Sequence, residues 1–189
     1  MPSIEGGGVE KNLFIIANFL STKIKDLNLI TASKGFDHKF KGLKIVKPSF
    51  NYWANSKRKY KYLICLLKLL RLIINKKNIT VFAFQANLYC ILLCKIFNRK
   101  IIIRSNSSPS GWSNNFIKKK IFTSILGLAD RIIVNSLDFK KEFKLKFNIN
   151  AKCIYNPLNQ REIIKLAREK VDFPFYKKNK GYLKIITIG

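Results

Sequence analysis

The sequence predicts an α/β chain built on a parallel sheet with helices on both faces. Two observations carry that expectation. Short, almost wholly apolar runs such as ITVFAF (79–84), KIIIRS (100–105) and RIIVNS (131–136) read as strands buried on both sides. Segments with helical spacing alternate with them, which is the signature of crossover connections. No internal repeat or low-complexity tract interrupts the alternation.

From Gly8 to about Ser21, Val9, Leu13, Ile16, Ala17 and Leu20 recur at helical spacing behind the glycine-rich start Gly6-Gly7-Gly8. LNLITA (27–32) and LKIV (43–46) are strands, separated by the loop SKGFDHKFKG. A helix from about Ser56 to Asn75 carries only a narrow polar stripe of Lys57, Lys61, Lys68, Arg71 and Asn75, so burial is favoured over one face on a membrane. ITVFAF leads to a helix at 86–97, and KIIIRS to a turn-rich loop and a helix at 116–129. Asp130 ends that helix and caps the turn into RIIVNS. Ser136 caps the next helix, with Asp138 in its first turn and Phe139, Phe143 and Phe147 on one face at i, i+4, i+8. KCIYNP is a strand stopped by Pro157; QREIIKLAREK is a helix; VDFPFYKKNKG is a linker; YLKIITIG opens another strand.

The 189 residues carry 37 Lys and Arg against 10 Asp and Glu, a net charge of +27. Such an excess attracts nucleic acid or an anionic membrane surface. A general enrichment in Ile, Lys, Asn and Phe competes with that reading, because Lys then serves as the default solvated residue. A nucleic-acid-binding module needs its cations on one face with aromatic platforms, whereas KRKYK, KKK and KKNK are spread over every polar stretch. It stands as the alternative function, with no nucleic-acid partner expected under the leading one. Cys65, Cys90, Cys94 and Cys153 sit in apolar stretches, and the single His38 lies far from them in a lysine-rich loop. They read as reduced core residues of a cytosolic protein, with no metal site. Neither long apolar run, YLICLLKLLRLII or VFAFQANLYCILLC, is long and unbroken enough to span a bilayer.

Three common chemistries fail on spacing. After Gly6-x-Gly8-x-x stands Lys11 where a dinucleotide fingerprint needs glycine, and the second strand ends in Ala32-Ser33 without a carboxylate. This weakens a nucleotide-sugar epimerase or similar enzyme. No GK[ST] follows a glycine-rich loop, and no Ser/His/Asp set can be built around His38.

The glycine turn raises a different question. Glycine-rich turns in such sheets follow a central first strand and present N–H groups and a helix N-terminus to a phosphate. Met1–Ile4 is too short to cross a sheet, so the expectation is a frame that begins upstream or a fragment lacking its first strand. Flanking DNA with in-frame stop codons on both sides would contradict this.

PSIEGGGVEKN, IIIRSNSSP, LADRIIVNS and IYNP, in that order, resemble landmarks of the N-terminal domain of GT-B glycosyltransferases, closest to the retaining, family-four type. The resemblance runs from Pro2 to Gly189 and implies a Rossmann-like N-terminal (acceptor-side) domain over 1–170, an interdomain linker over 171–182 and the start of a C-terminal donor-binding domain over 183–189. It implies hexosyl transfer from a nucleotide-sugar to a lipid-linked or polysaccharide acceptor in cell-envelope glycan synthesis, without a metal or other cofactor. Gly6, Gly7, Gly8, Glu10 and Lys11 would form the loop over the donor diphosphate and sugar. Arg104, Ser105, Asn106, Ser107, Asn135, Ser136 and Asn156 would line the cleft on the acceptor side. The family places a histidine near Asn106, which this chain lacks, and no catalytic residue is assigned. The paired glutamates that hold the donor sugar belong to the second domain, so the chain alone is expected to be inactive. Its location would be cytoplasmic, peripheral on the inner face of the membrane.

Overall fold

A computed structural model describes residues 1–49, 53, 55–112, 115–169 and 181. Two units make up the chain, Met1–Leu158 and Asn159–Gly189. In the first, the order is α1 (Gly8–Ser21), β1 (Asn28–Ile30), β2 (Lys44–Val46), α2 (Arg58–Asn75), β3 (Thr80–Ala83), α3 (Asn87–Ile96), β4 (Lys100–Ser105), α4 (Phe116–Gly127), β5 (Arg131–Val134), α5 (Leu137–Phe147) and β6 (Lys152–Cys153). Strands β3 to β6 form one parallel sheet in sequence order, with Val81 opposite Ile101 and Ile103 opposite Ile132. β1 and β2 form a separate parallel pair. The α/β class and parallel strands are those the alternation predicts.

β-branched residues make the strands because their stiff side chains suit a pleated surface covered by neighbours. Ile101, Ile103 and Val134 are fully buried, and Ile91 and Cys94 of α3 pack with them in one core cluster. The phenylalanine stripe of α5 closes that core. Phe143 and Phe147 are buried, and their rings lie 6.0 and 5.6 Å from Trp112. Ser136 caps α5 by accepting the Phe139 N–H at 3.1 Å, as its position predicts.

Several elements are shorter than their apolar runs. β1 has three residues where 27–32 was expected, and β6 only two. A strand extends only as far as a neighbour pairs with it, and the sequence does not show where pairing stops. α2 starts at Arg58 and buries one side only, through Cys65, Leu69 and Ile73. Leu63, Leu67 and Ile74 remain more than half exposed, so the expectation of a mostly buried helix is corrected. The reason is coverage: α2 packs on β1 and α3 and presents its remaining flank to solvent.

All four cysteines are free, three of them buried. Desolvation pushes the Cys65 and Cys90 thiols up to about 11 and Cys94 up to about 12, which leaves them protonated and unreactive. Among the described residues no helix is long and apolar enough to cross a membrane. Of the second unit, α6 (Gln160–Ala167) is described. Asn159 caps it, accepting the Glu162 N–H at 3.3 Å and donating to the Glu162 carboxylate at 2.8 Å. The predicted linker over 171–182 and strand over 183–189 lie, apart from Gly181, outside the described residues.

Candidate functional site

Parallel strands deliver all their C-terminal ends to one rim, where loops gather polar side chains. Here that rim is knitted from Met1–Gly8 and the segments after β1, β3, β4 and β6. The Ile4 N–H donates to Ser33 Oγ at 2.7 Å, beyond β1, and the Ser3 N–H to Gln85 Oε1 at 3.1 Å, beyond β3. Asn87 Nδ2 donates to the Arg104 carbonyl at 3.1 Å, which joins the β3 and β4 ends. Arg104 Nη2 donates to the Ile154 carbonyl at 3.2 Å and to Asn156 Oδ1 at 2.8 Å, which joins β4 to the segment after β6. The triple-glycine turn and the Arg104 corner therefore stand at the same ends of the strands.

Gly6, Gly7 and Gly8 are exposed at the start of α1, and Gly6 has φ +86°, a conformation that favours glycine. The N–H groups of the first turn precede the first helical bond, which Lys11 gives to Gly7. Glu10 is not open beside them. It is buried, and its carboxylate curls back so that a Cβ added to Gly7 would lie 2.9 Å from Oε2. An acidic side chain thus covers the positive end of α1. Lys11 is exposed.

Arg104 and Ser105 are buried, Asn106 is half-buried and Ser107 is exposed. Among the described residues no carboxylate pairs with Arg104. Burial lowers the guanidinium's pKa and the neighbouring Cys153 thiol partly offsets this. Arg104 Nε and the side-chain oxygens of Asn87, Asn106 and Asn135 are buried without a hydrogen-bond partner. Orphan polar atoms of this kind are few in folded proteins, and here four gather at the ends of three adjacent strands. Three are acceptors and one is a donor on a cation. Such a set suits a ligand with hydroxyl groups and negative charge.

Asp130 lies at the opposite ends of the strands. Its carboxylate accepts the Lys95 ammonium at 2.8 Å and the Ile101 N–H at 2.7 Å, and these two bonds hold its pKa below the usual range. His38 is exposed in the turn Asp37–Lys39. Among the described residues no group of His, Cys, Asp and Glu is placed to hold a metal ion.

Sequence reasoning missed Ser33, Gln85 and Asn87. The signal was present: each follows an apolar run at a strand end, the position that singled out Arg104 and Asn135. Between Gln85 and Asn87, Ala86 takes a left-handed φ of 55°, strained for a residue with a Cβ.

No family model and no curated protein matches the sequence. Among solved structures, the crystal structure of Anabaena Alr3699/HepE in complex with UDP and glucose matches with a TM-score of 0.58 at 15% identity, over 89% of this chain and 48% of that one. The structure of Alr3699/HepE in complex with UDP matches with a TM-score of 0.55 at 16% identity, over 88% and 47%. The chain spans about half the length of the structures it matches. At this identity the likeness is one of architecture: parallel sheets flanked by helices, with the strand ends free to form a rim.

Proposed function

We propose that the chain is the acceptor-side half of a retaining, family-four glycosyltransferase, moving a hexosyl group from a nucleotide-sugar to a lipid-linked or polysaccharide acceptor of the cell envelope. The observation that carries this reading is the Arg104 corner: a buried cation that no carboxylate pairs with among the described residues, with unpartnered amide oxygens at the ends of its own and the neighbouring strands. In this reading Asn87, Asn106 and Asn135 accept hydrogen bonds from sugar hydroxyls. Arg104 stabilises the charge that grows on the departing diphosphate, which requires no metal. The glycine turn binds the donor diphosphate when Glu10 yields its place at the α1 N-terminus. The likeness to structures holding UDP and glucose supports a nucleotide-sugar partner.

Backbone NMR of the purified chain titrated with UDP tests the site. The expected result is shifts confined to Gly6–Gly8 and Arg104–Asn106, with Kd of roughly 1 mM or weaker because the donor half is absent. Shifts spread over the surface lysines, or none at these positions, would count against the assignment. Hexose transfer by the purified 189-residue chain would contradict the half-site reading.

Membrane association is part of the same proposal. Tyr60, Leu63, Leu67 and Ile74 form an exposed apolar stripe on α2, with Lys61, Lys68 and Arg71 beside it. That is the pattern of a helix lying in a membrane interface, where each basic residue near an anionic surface adds about 1 kcal/mol. Vesicle sedimentation should rise with anionic lipid content, and Leu63→Ser with Leu67→Ser should weaken it about tenfold or more. Binding indifferent to lipid charge speaks against it.

A further inference from the structure

α2 packs on α3 and α3 on α4, and each of the three bears an uncovered apolar stripe. On α3, Tyr89, Leu92 and Ile96 recur at i, i+3, i+7 and are exposed. On α4, Ile117 and Ile121 stand one turn apart with Phe116 beside them, and all three are exposed. Tyr60, Leu63 and Leu67 repeat the pattern on α2. Packed helices lie about 8–10 Å apart, so the three stripes make a field roughly 20 Å across. Single apolar residues on a surface need no explanation, but neighbouring stripes of this width do.

The charge on these helices is one-sided. α2, α3 and α4 contain no Asp or Glu. Lys118, Lys119 and Lys120 are exposed on α4 directly after Phe116 and Ile117, and Arg58, Lys59 and Arg71 are exposed on α2. Asp130, just beyond α4, is held by Lys95 of α3 at 2.8 Å. α5, which packs on α4, carries Asp138 and Glu142, so the acid-free field stops at α4. Apolar stripes between cations suit the interface of an anionic bilayer, which buries the first and attracts the second. A second copy of the chain, itself at +27, would set cation against cation. A nucleic-acid backbone would meet the cations but give Leu92, Ile96 and Ile117 nothing apolar to bury against.

We propose that the outer faces of α3 and α4 join the α2 stripe in one plane that lies flat on an anionic membrane, with Lys118, Lys119 and Lys120 holding the lipid phosphates. This rests on the membrane association proposed above and adds its second and third contacts and its orientation. α3 follows β3 and α4 follows β4, so both helices run alongside the strands and their first turns stand at the rim. With the helix layer flat on the bilayer, the rim opens sideways along the surface, about one helix diameter, roughly 10 Å, above it. An acceptor carried in the membrane reaches the rim there, so this orientation favours the lipid-linked acceptor over a free polysaccharide.

Spin labels on the full chain test the plane, introduced one at a time through Leu63→Cys, Leu92→Cys, Ile117→Cys and Phe19→Cys in a Cys153→Ser background, the other three cysteines being buried. Phe19 is exposed on α1, outside the three helices, and serves as the control. On vesicles containing anionic lipid, the labels at the Leu63, Leu92 and Ile117 positions should collide more with oxygen than with a water-soluble nickel complex, and the Phe19 label the reverse. Lys118→Gln, Lys119→Gln and Lys120→Gln together should weaken binding to these vesicles about a hundredfold and leave binding to neutral vesicles unchanged. A Leu63 label in lipid with the Leu92 and Ile117 labels in water keeps the α2 contact and overturns this plane. Labels in lipid at all four positions overturn it too, because no face is then selected, as does unchanged binding by the triple-lysine variant. Displacement from the vesicles by an equimolar single-stranded oligonucleotide would give the face to nucleic acid instead. Absence of binding to anionic vesicles overturns both this plane and the membrane association it rests on.

Discussion

Arg104→Met is expected to leave stability within about 1 kcal/mol of the parent chain and to abolish the UDP-induced shifts at Arg104–Asn106, whereas Arg104→Ala should cost about 2–3 kcal/mol as well. The guanidinium is buried and makes two hydrogen bonds, to the Ile154 carbonyl and Asn156 Oδ1. Those bonds are charge-assisted, but the cation is taken out of water with no carboxylate among the described residues to offset its desolvation. An apolar side chain of similar length fills the same space and removes that penalty. Alanine removes the penalty too, but leaves a void between β4 and the segment after β6. Urea unfolding of the two variants, read as midpoints at constant m, separates packing from charge. If methionine and alanine destabilise equally, Arg104 is a structural staple and the anion-binding role loses its main support. If methionine keeps both stability and the UDP response, the role fails outright.

Phe143→Ala is the largest stability loss expected from one substitution, about 3–5 kcal/mol. The side chain is fully buried, with ring partners Trp112 at 6.0 Å and Phe147 at 5.7 Å. Its removal forfeits the transfer energy of the ring, opens a cavity and strips both neighbours of an edge-on partner worth about 0.5–1.5 kcal/mol each. Domains are stable by only about 5–15 kcal/mol, so the loss is a large fraction of the whole. Phe139→Ala, on the same face one turn earlier but only half-buried, should cost clearly less. Denaturation followed by the fluorescence of Trp53 and Trp112 together, checked by circular dichroism, reads both variants. A Phe143→Ala loss no greater than that of Phe139→Ala would mean that the α5 face is not packed as described.

The phenylalanine stripe, the apolar strands and the cap at Ser136 were legible in the sequence because each is a local pattern: spacing, run length and one side chain beside its own helix. Arg104 was legible as a strand-end residue, but its burial was not, because the cover comes from Ile154 and Asn156, about fifty residues on. Gln85 and Asn87 looked like interruptions of an apolar run. They are the hydrogen-bonding hinge between Ser3, β3 and β4. Glu10 looked like a companion of the glycine turn, and only the fold shows its carboxylate lying against Gly7.

By itself, the amino-acid order determined the alternation of strands and helices, their parallel arrangement and the aromatic face of α5, since periodicity and turn chemistry act over a few residues. Tertiary structure alone decided which face of α2 stays uncovered, where each strand stops and which polar atoms are left without partners. Those outcomes depend on what packs alongside from distant parts of the chain, and coverage by a neighbour is not written in any local pattern.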